Sequence, residues 1–197
     1  MSEPIVIDNF LPKNVLEKID YFYKTASLKL SMGEIDDTPT FLQCSIGVEE
    51  LLGVFELDTH IEKYLNKIYK NCTFKNLERF YINILTNAEK NKMVGHRDIN
   101  ESDLAEDDFY LISIIFLNPE GNKDTGIYIN ENYYEDVYNR MILFDGTNWH
   151  KAVAPQDDYV RITFYANFSN RISKNNVFRQ LKNADACSKY FKNVYRK

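Results

Sequence analysis

The stretch MVGHRDINESD, Met93 to Asp103, supports two readings that lead to different folds. As His-Arg-Asp it matches the catalytic loop of a protein kinase. As His-x-Asp it offers an imidazole and a carboxylate, a pair suited to a metal ion. The kinase reading needs an Asn at the far end of the loop to hold magnesium, where this chain has Ser102 and Asp103. It also needs a Gly-x-Gly-x-x-Gly loop upstream, and none precedes His96. Asp108-Phe109-Tyr110 follows too closely to serve as the Asp-Phe-Gly element, and 197 residues are too few for two lobes. The metal reading therefore decides the fold.

Outward from that stretch the sequence has β texture. After Asn71, β-branched and aromatic residues come in short runs: Phe80 to Leu85, Phe109 to Leu117, Gly126 to Ile129, Met141 to Phe144, His150 to Val153 and Tyr159 to Phe168. Asn-, Asp- and Gly-rich turns divide them, as expected of an all-β sandwich or barrel. The front of the chain differs. A short strand at Pro4 to Ile7 precedes an amphipathic helix from Pro12 to about Leu30, with Val15, Leu16, Ile19 and Phe22 at helical spacing. A second helical region is expected over about Gly47 to Tyr69, interrupted near Leu57 to Thr59, and a terminal helix over Val177 to Val194.

With 44% hydrophobic and 27% charged residues the chain can bury one sizeable core, and a single domain over 1–197 is expected. Apolar runs such as Leu111 to Leu117 fall short of the roughly 18 to 20 residues a membrane helix needs. The start MSEPIVIDNF has no basic region followed by a hydrophobic stretch, so a cytoplasmic protein without a membrane partner is expected. Cys44, Cys72 and Cys187 form an odd set without a Cys-x-x-Cys pair, poor material for a disulfide framework or zinc site. A net charge of -5 argues against nucleic acid as a partner. The basic tail Lys182 to Lys197 reads as a solvated helix face.

His96 and Asp98, two apart at a strand end, point to one face. His150 follows after the strand Met141 to Phe144, and antiparallel strands can return it to the same mouth. Two imidazoles and one carboxylate make the facial triad of non-haem Fe(II) oxygenases, which leaves positions open opposite the protein. Arg161 adds a further constraint. On its strand it shares a face with Tyr159, Thr163 and Tyr165, and a buried arginine there is costly unless it meets an anion. A fork-like donor of this kind suits a dicarboxylate, with the Thr163 hydroxyl as a second donor. Alternation turns Trp149 away from the metal and into packing, and makes Arg97 a surface or substrate-side charge. His60 reads as a surface histidine.

Taken in order, GHRD, YLISIIFLNP, DTGIYI, LFDGTNWH and YVRITFYANF, with IVIDNFLPKNVLEKI ahead of them, resemble the Fe(II)/2-oxoglutarate-dependent dioxygenases and in particular their prolyl 4-hydroxylase-like group. The resemblance runs over about Asn76 to Phe168. It implies an α+β fold: a double-stranded β-helix (jelly-roll) core at about 73–170, buttressed by N-terminal helices within 1–72 and followed by a tail, 171–197, with its helix. It implies Fe(II) on His96, Asp98 and His150, and 2-oxoglutarate as co-substrate with its far carboxylate on Arg161. Thr163, Tyr81 and Asn83 would line the same pocket, with ascorbate as an accessory. The implied reaction uses O2 to hydroxylate an amino-acid side chain, peptidyl or free, so the partner is a protein or small-molecule substrate.

The alternative is a cupin-like jelly roll that holds a metal without 2-oxoglutarate chemistry; it has no need of a buried cation at Arg161. Two departures from the pattern bear on the substrate. Animal collagen-type prolyl hydroxylases commonly carry Lys where this chain has Arg161. The paired arginines of DNA-repair members are absent, since Asn167 and Phe168 stand at that distance, which argues against a nucleobase substrate.

Overall fold

The helical stripe at the front and the period-two runs behind it become helices and antiparallel strands in a computed structural model that describes residues 3–25, 31–35, 38–45, 56–87 and 93–170. In chain order the elements are β1 (Ile5–Ile7), α1 (Lys13–Thr25), β2 (Ser31–Ile35), β3 (Thr38–Ser45), α2 (Leu57–Ile68), β4 (Leu77–Leu85), β5 (Tyr110–Phe116), β6 (Asn122–Ile129), β7 (Asn132–Asp136), β8 (Met141–Asp145), β9 (His150–Val153) and β10 (Arg161–Ser169). The strands form a seven-stranded sheet in the order β1-β8-β5-β10-β4-β3-β2 and a three-stranded sheet in the order β7-β6-β9. An isolated antiparallel bridge between His96 and His150 adds the metal loop to the edge of the small sheet. From β4 the chain passes to that bridge, back to β5, over to β6 and β7, back to β8, over to β9 and back to β10. This alternation between two facing sheets is the winding of a double-stranded β-helix.

Alternation along β10 assigns its two faces. Phe164, Ala166 and Phe168 join Leu111, Ile115, Met141 and Leu143 in a core beneath the helices. There α1 contributes Val15 and Ile19, and α2 contributes Leu57, Ile61 and Leu65 at successive i, i+4 positions, each fully buried. Burying such a side chain stabilises by about 1.5–3 kcal/mol, so this stripe holds α2 on the sheet. Arg161, Thr163, Tyr165 and Asn167 take the opposite face, toward the small sheet. Between the sheets, Ile112, Ile114, Phe116, Ile127, Ile129, Ile142, Phe144 and Tyr165 form a second core. Asn139, at φ 60, pins the N-terminal segment: its Oδ1 accepts from Leu11 N at 2.8 Å and its Nδ2 donates to Leu11 O at 2.9 Å.

The structure corrects the sequence reading at the front of the chain. Expected to hold only a short strand and helices, that part also carries the β2–β3 pair, which extends the large sheet beyond β4. The break expected near Leu57 to Thr59 is the start of α2, where Glu56 sits in the left-handed region at φ 49. The helical reading before it, at 47–55, lies outside the described residues, as does the expected helix at Val177 to Val194. Strand β7 was not expected at all. It pairs with β6 across the turn at Asn130, whose φ is 52. The remaining expected strands appear with shifts at their ends. Among the described residues no helix is long and apolar enough to cross a membrane.

Candidate metal centre

Beyond β4 the chain meets the small sheet at His96, whose main chain exchanges two hydrogen bonds with that of His150 on β9, N to O at 2.9 Å and 2.8 Å. The two rings lie 4.4 Å apart between centroids. Two residues on, Asp98 N donates to Gly146 O at 3.1 Å, which turns the carboxylate toward both rings. Asp98 Oδ1 is 3.2 Å from His96 Nε2 and 3.4 Å from His150 Nε2. The three side chains thus offer one ligand atom each, all within 4.8 Å of one another.

Ring orientation suits an ion. His150 Nδ1 lies 3.0 Å from Asn148 O, the geometry of an N–H donor to a carbonyl. With Nδ1 engaged by that carbonyl, Nε2 is the nitrogen that faces Asp98 and the one available to an ion. That buried Nε2 has no hydrogen-bond partner among the described residues. An orphaned imidazole nitrogen beside a second imidazole and a carboxylate fits a divalent ion such as Fe(II). Burial works to raise the Asp98 carboxyl, yet the His150 and His96 nitrogens and the Tyr165 hydroxyl outweigh it and hold the group well below the usual carboxylate range. Asp98 is therefore ionised.

Its other oxygen, Oδ2, accepts from Tyr165 OH and from Asn167 Nδ2, both at 2.9 Å. These β10 residues were missed as part of the site. Continuing by two the alternation that links Arg161, Thr163 and Tyr165 would have placed Asn167 on the same face. Tyr81 stacks on Tyr165 with centroids 4.9 Å apart and planes at 15°. Both hydroxyls are pushed well up, by burial first and then by the Asp98 charge.

Arg161, Thr163, Tyr81 and Asn83 come together as alternation indicated. Thr163 pairs with Asn83, and Tyr165 with Tyr81, across β10 and β4. Thr163 is buried, and the buried Asn83 Oδ1 lacks a partner among the described residues. Arg161 is only 5% exposed, so it is not an edge residue facing water. Its Nη1 donates to Gly126 O and to Val153 O, main-chain groups of the small sheet. Its Nε is buried with no partner among the described residues. Burial brings the guanidinium down to about 10, against the opposing pull of Asp136, so it stays charged at neutral pH. Gly126 has to be glycine here, because a Cβ would lie 2.1 Å from Tyr134 O.

Of the other residues singled out in the sequence, Trp149 lies against Gly95, where a Cβ would fall 1.8 Å from its Cζ2. Arg97 is exposed and donates through Nε to Thr147 O at 2.8 Å. His60 is half-buried rather than on the surface, its ring edge-on to Phe10 at 6.4 Å, because α2 packs over the N-terminal segment.

No family model matches this chain, and no curated protein matches it in sequence. Solved structures do match in fold. A prolyl hydroxylase from Trichoplax adhaerens, in complex with a hypoxia inducible factor peptide fragment, superposes with a TM-score of 0.59 at 16% identity, covering 90% of this chain and 86% of that one. A viral collagen prolyl hydroxylase from Paramecium Bursaria Chlorella virus-1, in its 2-oxoglutarate complex, gives 0.59 at 14% identity over 85% and 96%. HygX from Streptomyces hygroscopicus, with nickel, 2-oxoglutarate and hygromycin B bound, gives 0.58 at 9% identity over 87% and 84%. The chain has the fold of the 2-oxoglutarate Fe(II) oxygenases, a jelly roll within which His96, Asp98 and His150 stand together as a cluster that could hold a metal ion.

Proposed function

We propose that this chain, as a single domain over residues 1–197, is an Fe(II)- and 2-oxoglutarate-dependent dioxygenase that hydroxylates an amino-acid side chain, peptidyl or free. His96, Asp98 and His150 would hold the iron. When bound, Fe(II) with 2-oxoglutarate and O2 supplies the oxidising chemistry, in which the co-substrate becomes succinate and carbon dioxide and a substrate C–H bond becomes C–OH. The chain's own part is to bind, orient and shield. His150 keeps its proton on Nδ1, leaving Nε2 free to ligate. Arg161 binds the far carboxylate of the co-substrate, Thr163 adds a hydroxyl donor, and Tyr81 and Asn83 close the pocket from β4. The apolar residues between the sheets exclude water, which strengthens the charge pairing of Arg161.

One observation carries the reading: Arg161, a buried and charged guanidinium with an unpartnered Nε, on the same inward face as the residues that hold Asp98. A metal-holding cupin would account for the three ligands but not for a desolvated cation two strand positions from Thr163. The substrate class follows the prolyl-hydroxylase-like pattern of the sequence. Among the similar structures one holds a peptide and another hygromycin B, so the fold accommodates both kinds of partner.

The test is an anaerobic titration of the full chain with Fe(II) and then 2-oxoglutarate, followed in the visible. A weak charge-transfer band that saturates with 2-oxoglutarate is expected. Fe(II) uptake without any such band, and without 2-oxoglutarate binding by calorimetry, would instead establish the cupin-like alternative.

A further inference from the structure

Resting on the iron reading above, we infer that Asn167, together with Tyr165, is a positioning residue of the metal centre: it grips Asp98 by Oδ2 so that Oδ1 alone is presented to the ion. The two carboxylate oxygens have separate surroundings. Oδ1 faces His96 Nε2 at 3.2 Å and His150 Nε2 at 3.4 Å, whereas Oδ2 faces Asn167 Nδ2 and Tyr165 OH, each at 2.9 Å. Asn167 turns its NH2 toward Asp98, donating through Nδ2 to Oδ2. The second hydrogen of that NH2 goes to the Tyr110 hydroxyl oxygen. Asn167 is 1% exposed, so water does not compete for the amide.

The main chain reinforces this grip. Asp98 N donates to Gly146 O, and Gly146 N donates to Tyr110 O at 2.7 Å. Backbone and side chain of Asp98 are thus tied to the same end of β5, once through Gly146 and once through Asn167. A carboxylate free to rotate can close on an ion with both oxygens and occupy two coordination positions. With Oδ2 held by two donors it ligates through one oxygen and occupies one. Three protein ligands then leave the remaining positions for co-substrate and oxygen. Alanine at 167 removes one donor, and phenylalanine at 165 removes the other while keeping the packed ring.

The experiment titrates metal-free full-length protein with Co(II) alone, reading both affinity and the visible ligand-field bands. Asn167→Ala and Tyr165→Phe are each expected to weaken Co(II) binding about 10- to 100-fold, the usual cost of losing a partner of a metal ligand. Their bands at saturation are expected to differ from wild type, a change that loss of packing alone does not produce. Far-UV circular dichroism checks folding; where Asn167→Ala does not fold, Tyr165→Phe decides. Folded variants with wild-type affinity and wild-type bands overturn the positioning role and leave the oxygenase reading intact. Wild-type protein that takes up neither Co(II) nor Fe(II) overturns both.

Discussion

His96 and His150 face each other as a hydrogen-bonded antiparallel pair, each main-chain N–H donating to the other's carbonyl. In such a pair the side chains leave the backbone on the same side. The two imidazoles are therefore set by the sheet itself and not by a flexible loop. Asp98 then needs only the two-residue step from His96 to meet both. A site built this way is formed before an ion arrives, at the cost of an orphaned nitrogen on His150.

Preformation implies a large metal-linked stabilisation. An ion that binds only the folded state stabilises by RT ln(1 + [L]/Kd), roughly 2.7 kcal/mol at a hundredfold excess over Kd. Adding Fe(II) anaerobically, or Co(II), should raise the melting temperature of the wild type by several degrees, and a chelator should reverse it. His96→Ala, Asp98→Ala and His150→Ala should each lose the shift. Calorimetric scans with and without metal measure it; equal shifts in wild type and variants would contradict the ligand assignment.

Gly95 is where the ligand loop is most exposed to damage. A methyl group at Gly95 would fall inside the Trp149 ring, one residue from each histidine ligand. Gly95→Ala should cost about 1–3 kcal/mol, as overpacking does, and should weaken Co(II) binding, because Gly95 and the Trp149 ring it meets directly precede His96 and His150 in the chain. Thermal unfolding and a Co(II) titration check both effects. A variant with unchanged stability and affinity would show that the ring has room to move.

Asp136 gives a pH-dependent expectation. It is 2% exposed, with Tyr159 OH donating to its Oδ2 at 3.0 Å and its Oδ1 unpartnered among the described residues. Burial raises its carboxyl from 3.8 to about 6, against the lowering effects of Tyr159 and Arg161. A raised carboxyl means the folded state holds the proton more tightly than the unfolded one. Its contribution to stability is thus present below about pH 4 and is lost as pH rises through about 6. Such a rise corresponds to roughly 3 kcal/mol. Asp136→Asn should match the wild type near pH 4 and exceed its stability by up to about that amount at pH 7.5. Urea unfolding at the two pH values measures the difference; a variant less stable than wild type at pH 7.5 would contradict it.

Much of this site was legible because strand alternation is a local property. Arg161, Thr163 and Tyr165 share a face by spacing alone, and the register of β10 on β4 then brings Asn83 and Tyr81 opposite them. His96 and Asp98 carry their spacing with them. The role of Asn167 was not legible, because its contact with Asp98 spans 69 residues and depends on the metal loop crossing to the small sheet. The β2–β3 pair was missed because Gly33, Asp36, Asp37 and Pro39 punctuate those runs, and an edge pair is held by the strand beside it more than by its own pattern. Strand β7, Asn-Tyr-Tyr-Glu-Asp, reads as a polar turn until Tyr133 is placed opposite Tyr128.

The most direct measurement is 2-oxoglutarate affinity in Fe(II)-loaded wild type and Arg161→Ala, titrated anaerobically through the charge-transfer band. Removing one partner of a buried, hydrogen-bonded charge pair costs roughly 2–5 kcal/mol, about 30- to several-thousand-fold in affinity. Arg161→Ala should lose that much while keeping Fe(II), and Arg161→Lys should recover part of it, since an ammonium restores the charge without the planar fork. A folded Arg161→Ala that binds 2-oxoglutarate as tightly as the wild type would contradict the assignment.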